Sequence, residues 1–234
     1  MRKQQKIWTI EHRNQKSLPS EFSNTPSDNV IYFTKFLKLK TGSNKKVVDI
    51  GSGKGRNAIY LAKMGFDVYC LDYIKIALDS VKERAKKNKV GDKVHLSLKE
   101  ISSKWPFKNN FFDLAIDNFS SIDIETKKGR GIYRKELFRT LKPGGYALVA
   151  VVSADDELES GFIKNNPGPE PNSAIWPNGK FQKDYDRSEL IEFYKDFEII
   201  KLKKIKKPAF KLGKNYTATN FLFILRKPFL SSSA

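Results

Sequence analysis

Along the middle of the chain, short apolar runs take turns with helix-spaced apolar positions, and the alternation predicts most of the elements. Val47, Val48 and Ile50 form a β-branched run too short for a helix, which reads as a buried strand. Residues 58–64 suit a helix, Gly65 stands where a C-terminal cap belongs, and 66–71 form a second strand closing on Asp72. Ile74, Ala77, Leu78, Val81 and Ala85 trace the stripe of a helix lying on a sheet. After the Gly91-Asp92 turn, 94–98 read as a third strand with His95 partly buried at its centre. Residues 111–119 (FFDLAIDNF) give a fourth strand, a helix starts near 131, and LKPGGYALVAVVS supplies a turn and a fifth strand. Strands and helices in this order predict a mostly parallel sheet.

Two stretches break the rhythm. In residues 1–45, Pro19 and Pro26 interrupt any long helix and predict an irregular arm that Trp8 and His12 anchor. A helix over 30–39, capped by Ser27 or Asp28, follows it. Residues 154–185, rich in Pro, Gly and Asn, predict a long loop. A loop of that length inside a compact domain suggests a lid over 154–187, with Phe162, Trp176 and Phe181 as its apolar contacts. Asp186-x-x-Glu189 is a capping box for a helix through 194. Two last strands over 197–202 and 219–225 are expected to be joined by a lysine-rich loop. At 234 residues, with no repeat or long linker, residues 1–234 read as one domain.

The chemistry is concentrated between Lys46 and Asp72. Gly51, Gly53 and Gly55 lead from a strand into a helix, and an acid follows about 20 residues on, which is a nucleotide-binding βαβ signature. A dinucleotide fingerprint needs a third glycine where Arg56 stands, which counts against a nicotinamide dehydrogenase. With Asp49 in front, D-I-G-S-G-K-G instead resembles motif I of class I S-adenosylmethionine (SAM) methyltransferases. GKGRNAIYLAKMGFDVYCLD is similar to the tellurite-resistance TehB-like branch, in which a Gly-Arg-Asn step (here Gly55-Arg56-Asn57) enters the first helix.

That resemblance implies an α/β Rossmann-like fold: a mostly parallel seven-stranded sheet, an antiparallel last strand, and helices on both faces. It implies SAM as cofactor and S-adenosylhomocysteine as product. Gly51, Gly53 and Gly55 would face the methionyl part, and Asp49, Arg56 and Asn57 would also belong to the cofactor site. Asp72 would bind the ribose, Tyr73 the adenine face, and Glu100 and Ile101 its edge. Asp117 and Asn118 would lie near the transferred methyl. Between its last strands the branch carries histidine and arginine, where this chain has lysines, Phe210 and Tyr216, which argues against tellurite methylation.

Composition narrows the partners. Of the net charge of +18, the first 46 and last 40 residues hold +15. Basic ends can steer an anionic partner such as RNA, although the excess is mostly lysine and lysines are commonly just solvated. No apolar leader or membrane-length run appears, and Cys70 is the sole cysteine, so a cytoplasmic protein without a metal site is expected. Asp117-Asn118-Phe119-Ser120 lacks the Pro-Pro-aromatic motif of exocyclic-amine nucleic-acid methylases, and Cys70 lacks the Pro-Cys context of C5-cytosine enzymes. The leading expectation is O- or N-methylation of a small molecule, with Asp117, His12 or Glu100 available as base. RNA methylation and a non-catalytic SAM-binding role are the alternatives.

Overall fold

A computed structural model describes residues 3–14, 22–211 and 213–229. Helix α1 (Lys3–Glu11) and α2 (Asp28–Phe36) precede β1 (Lys46–Ile50), α3 (Arg56–Lys63), β2 (Asp67–Asp72), α4 (Lys75–Lys87), β3 (Val94–Leu98) and β4 (Phe112–Asn118). Then come α5 (Lys127–Thr140), β5 (Leu141–Val152), α6 (Glu157–Asn165), β6 (Ser173–Ile175), β7 (Phe181–Lys183), α7 (Arg187–Phe193), β8 (Glu198–Lys211) and β9 (Lys214–Arg226).

Seven strands form one sheet in the order β3-β2-β1-β4-β5-β9-β8. β1 pairs in parallel with both β2 and β4, while β9 runs antiparallel to β5 and β8. Alternate strand residues point to opposite faces. Val47, Val68, Leu114 and Leu148 therefore pack with Phe33, Leu61 and Val81 of α2, α3 and α4. Val48, Leu71, Ala115 and Val149 pack with Tyr133, Leu137 and Leu190 of α5 and α7. Strand order reverses on either side of β1, and in open sheets of this kind the crevice at that reversal holds the ligand.

Five expectations need correction. The N-terminal arm is helical: α1 has weak amphipathic spacing and owes its place to tertiary bonds. Gln4 Nε2 donates to the Phe181 carbonyl while the Phe181 N–H donates to Gln4 Oε1, both at 3.1 Å. Pro19 lies outside the described residues. The stretch after β5 is ordered into α6 and the β6–β7 hairpin, whose Asn178-Gly179 turn places Gly179 at φ +82°. Asp156 caps α6 by accepting from the Leu158 and Glu159 N–H groups. The lysine-rich segment is strand, so β8 and β9 form one long hairpin from Glu198 to Arg226. Pro208 is tolerated there because β8 is the sheet edge. His95 is exposed, since β3 is the other edge, and its ring stacks on Tyr69 at 4.4 Å. Ser27 caps α2 as expected, and Asp186 caps α7. Glu189 does not complete the capping box, because its carboxylate pairs with Lys183.

Candidate functional site

The carboxyl ends of β1 to β4 open into a cavity of about 530 Å³. Its floor is the glycine loop after β1. Gly51 and Gly53 line the cavity at φ +61° and +52°, a left-handed region that L side chains rarely adopt. A Cβ on Gly51 would lie 2.3 Å from Ser120 Oγ in the turn after β4, so the two loops interlock only around a glycine. Asp72, 4 % exposed, fixes the loop from β2. Its Oδ2 accepts the Gly53 N–H at 2.9 Å and its Oδ1 the Ile74 N–H at 2.8 Å.

Arg56, Asp72, Tyr73, Glu100, Ile101 and Asn118 also line the cavity. Burial and the surrounding carboxylates push the Tyr73 hydroxyl well up, so it stays neutral. Four residues from the sequence reading sit elsewhere. Asn57 turns away, its Oδ1 accepting the Ser27 N–H that begins α2. Gly55 serves packing, because a Cβ there would meet Val81 of α4 at 2.8 Å. Asp49 is buried in β1, off the cavity wall. Asp117 is fully buried and also off the wall. Its Oδ2 accepts from the Tyr133 hydroxyl at 2.6 Å and its Oδ1 from the Ser120 and Ser121 N–H groups. Burial raises its pKa, and those bonds oppose the rise. Asp117 is thus a strut that holds the turn carrying Phe119 and Ser120 into the cavity wall.

The other walls come from the N-terminal arm with its expected candidate His12, from the stretch expected to form a lid, and from the last hairpin. Gln4 and Trp8, four residues apart on one face of α1, and His12 just past its end line one side. Burial and the Lys54 ammonium lower His12 to about 4, so its imidazole is neutral at physiological pH. Asp156 and Glu159 come from the start of α6, Lys180 and Gln182 from the β6–β7 hairpin. Lys207, Phe210, Tyr216 and Asn220 come from the β8–β9 hairpin. Past the end of β5, the Thr219 and Thr217 N–H groups donate to Asp156 and Glu157, so α6 and the hairpin are tied together. The four-residue spacing on α1, the Pro- and Gly-rich stretch after β5 and the Asn-Gly turn were the available signals; nothing local announced the part played by the β8–β9 hairpin.

At the ends of β2, β3 and β4, carboxylates stand beside Tyr73, with Ile74, Ile101 and Ile122 also in the lining. Carboxylates suit vicinal hydroxyls and an apolar slab suits a purine, so these residues fit an adenosine.

The sheet order, its antiparallel β9 and this cavity define a Rossmann-like class I methyltransferase fold. Residues 41–192 match the methyltransferase-domain family, and the chain belongs to that family. It is 24 % identical over 155 residues to the probable S-adenosyl-L-methionine-dependent methyltransferase TehB of Haemophilus influenzae, covering 66 % of this chain and 46 % of that relative. The chain therefore spans about half the length of the curated relatives it matches. A SAM-dependent methyltransferase from Methanosarcina mazei shares the fold, with a TM-score of 0.72, 21 % identity, and coverage of 83 % of this chain and 97 % of that one. So does the 1,6-didemethyltoxoflavin-N1-methyltransferase of Burkholderia thailandensis, solved with bound 1,6-didemethyltoxoflavin and S-adenosylhomocysteine. Its TM-score is 0.62 and its identity 17 %, with coverage of 86 % of this chain and 76 % of that one. Among the described residues no helix is long and apolar enough to cross a membrane.

Proposed function

We propose that the chain is a SAM-dependent methyltransferase acting on a small-molecule acceptor at oxygen or nitrogen. The observation that carries this reading is the single cavity joining two kinds of wall. One is the glycine-loop and Asp72 end; the other is formed by α1, α6 and the two hairpins. A small-molecule acceptor suits that enclosure, and the toxoflavin-precursor methyltransferase with the same fold is a parallel. When bound, SAM supplies an electrophilic methyl on a cationic sulfur. Asp72 holds the ribose hydroxyls, Tyr73, Ile74 and Ile101 flank the purine, and Asn118 stands at the tip of β4. The walls from α1, α6 and the hairpins exclude water and hold the acceptor in line. Positioning of this kind, with effective molarities of order 10⁵ M or more, is a large part of what such a site has to supply.

Titration calorimetry with S-adenosylhomocysteine tests the reading. Wild-type protein should bind it, and Asp72→Ala should weaken binding by about 1.5–3 kcal/mol, the range for hydrogen bonds to a charged group. No binding by the wild type, or equal binding by a folded Asp72→Ala, would refute it. Formation of S-adenosylhomocysteine from SAM over a panel of small O- and N-nucleophiles separates catalysis from mere binding.

A further inference from the structure

Among the described residues, the non-glycine positions with positive φ are Lys38, Lys89, Asn110, Phe119 and Asn172. Lys38 and Lys89 directly follow the C-caps of α2 and α4, where helices commonly end in the left-handed region. Asparagine tolerates that region well. Neither reason applies to Phe119, at φ +70°. A bulky side chain there crowds the backbone, and such strain persists only where the surroundings enforce it. Here they do. The Phe119 N–H donates to the Ala150 carbonyl at 3.0 Å, and Asp117 holds the next two N–H groups. The Ser120 hydroxyl then donates to the Gly51 carbonyl at 3.2 Å. The outcome is a half-buried phenyl ring just past the tip of β4, packed against the α5 and α7 side of the core and lining the cavity.

The β8–β9 hairpin supplies further aromatic surface. Ala209 pairs with Tyr216 and Lys207 with Ala218, and residues directly opposite in an antiparallel pair share a face. All four line the cavity, so Tyr216 stands there between two alanines. Phe210, near the hairpin turn, lines the cavity as well and is 70 % exposed. Burial with Asp156 and Glu159 raises the Tyr216 hydroxyl to about 12, so it is a neutral phenol able to donate a hydrogen bond. Val152 adds a small apolar surface at the end of β5. Rings and small apolar side chains with one neutral polar handle suit a flat ligand, and aromatic pairs attract beyond the area they bury. A ring held by a strained and anchored backbone is already in place, so a ligand binding there orders nothing.

We propose that the acceptor is a planar aromatic molecule and that Phe119 selects it: the ligand's ring packs on the Phe119 phenyl, with Phe210 and Tyr216 completing an aromatic slot. That this ligand is a methyl acceptor rests on the methyltransferase reading; that the slot takes a flat ring does not.

Two probes that share a carbon skeleton and a hydroxyl but differ in aromaticity test it. They are 2-naphthol and decahydro-2-naphthol, titrated calorimetrically near neutral pH into protein with and without S-adenosylhomocysteine. The saturated probe offers at least as much apolar surface, so hydrophobic burial alone would not favour 2-naphthol. Ring packing adds roughly 2- to 12-fold for an aromatic partner. The wild type should therefore bind 2-naphthol at least ~3-fold more tightly. Phe119→Leu should erase that preference and Phe119→Tyr should keep it. Phe119→Gly removes the ring and relieves the backbone together, so it keeps the test decisive where the leucine variant does not fold; it too should lose the preference. No binding of 2-naphthol, equal or tighter binding of the saturated probe, or a preference that survives in Phe119→Gly would overturn the slot. If the preference follows Phe119 while S-adenosylhomocysteine does not bind, the methyltransferase reading fails and the slot stands. If S-adenosylhomocysteine binds and no preference exists, the slot alone fails.

Discussion

Tyr133→Phe isolates the strut beneath the cavity wall. In the native chain the Tyr133 hydroxyl and Asp117 are both fully buried, joined at 2.6 Å, and the same carboxylate carries the Ser120 and Ser121 N–H groups. Removing one oxygen leaves the ring packed and deprives the carboxylate of one donor. A hydrogen bond to a charged group contributes about 1.5–3 kcal/mol. At roughly 2–4 °C per kcal/mol for a domain of this size, the melting temperature should fall by about 3–12 °C. The deficit should also depend on pH. Asp117 has a folded-state pKa raised by burial, and the Tyr133 bond is one of the groups pulling it back down. Without that bond the pKa rises further. Where Asp117 is protonated in both proteins, at low pH, only a neutral hydrogen bond is missing and the variant's deficit is small. The deficit grows as pH rises through the folded-state pKa values and is complete above them. Thermal unfolding of both proteins from pH 4 to pH 8 measures this. An unchanged melting temperature, or a deficit that is flat or larger at low pH, would refute the strut. Lost turnover with no loss of stability would return Asp117 to the reacting atoms.

Two further substitutions test the loop and the arm. Gly51→Ala should destabilise the protein by about 1–3 kcal/mol, since the new Cβ clashes with Ser120 at a strained φ. Gly42→Ala, also at positive φ but with nothing within 4 Å, should cost only the backbone penalty of about 1–2 kcal/mol, so its melting temperature should stay higher. Gln4→Ala removes both hydrogen bonds between α1 and Phe181. Hydrogen exchange should quicken across α1 alone, by a factor set by about 1–2 kcal/mol, while the sheet keeps its protection. Unchanged α1 exchange would mean that Trp8 and its neighbours hold the arm instead.

The central sheet was legible in the chain because its information is local. A β-branched run, a glycine turn, an amphipathic stripe and a closing Asp72 each state their own geometry, and βαβ handedness leaves few ways to assemble them. The glycine-loop end of the cavity was legible for the same reason: Gly51, Gly53, Asp72 and Tyr73 lie within one such unit. Tertiary structure decided how the opposite end of the cavity is walled, where the residues that meet are far apart in sequence. Gln4 meets Phe181 across 177 positions, and Thr219 meets Asp156 across 63. It also reassigned Asp117 and Gly55. A carboxylate at a strand end looks the same in sequence whether it faces a ligand or a buried tyrosine, and a glycine looks the same whether its missing Cβ makes room for a ligand or for Val81. Those roles depend on what packs against the residue, and the packing exists only once the distant segments have met.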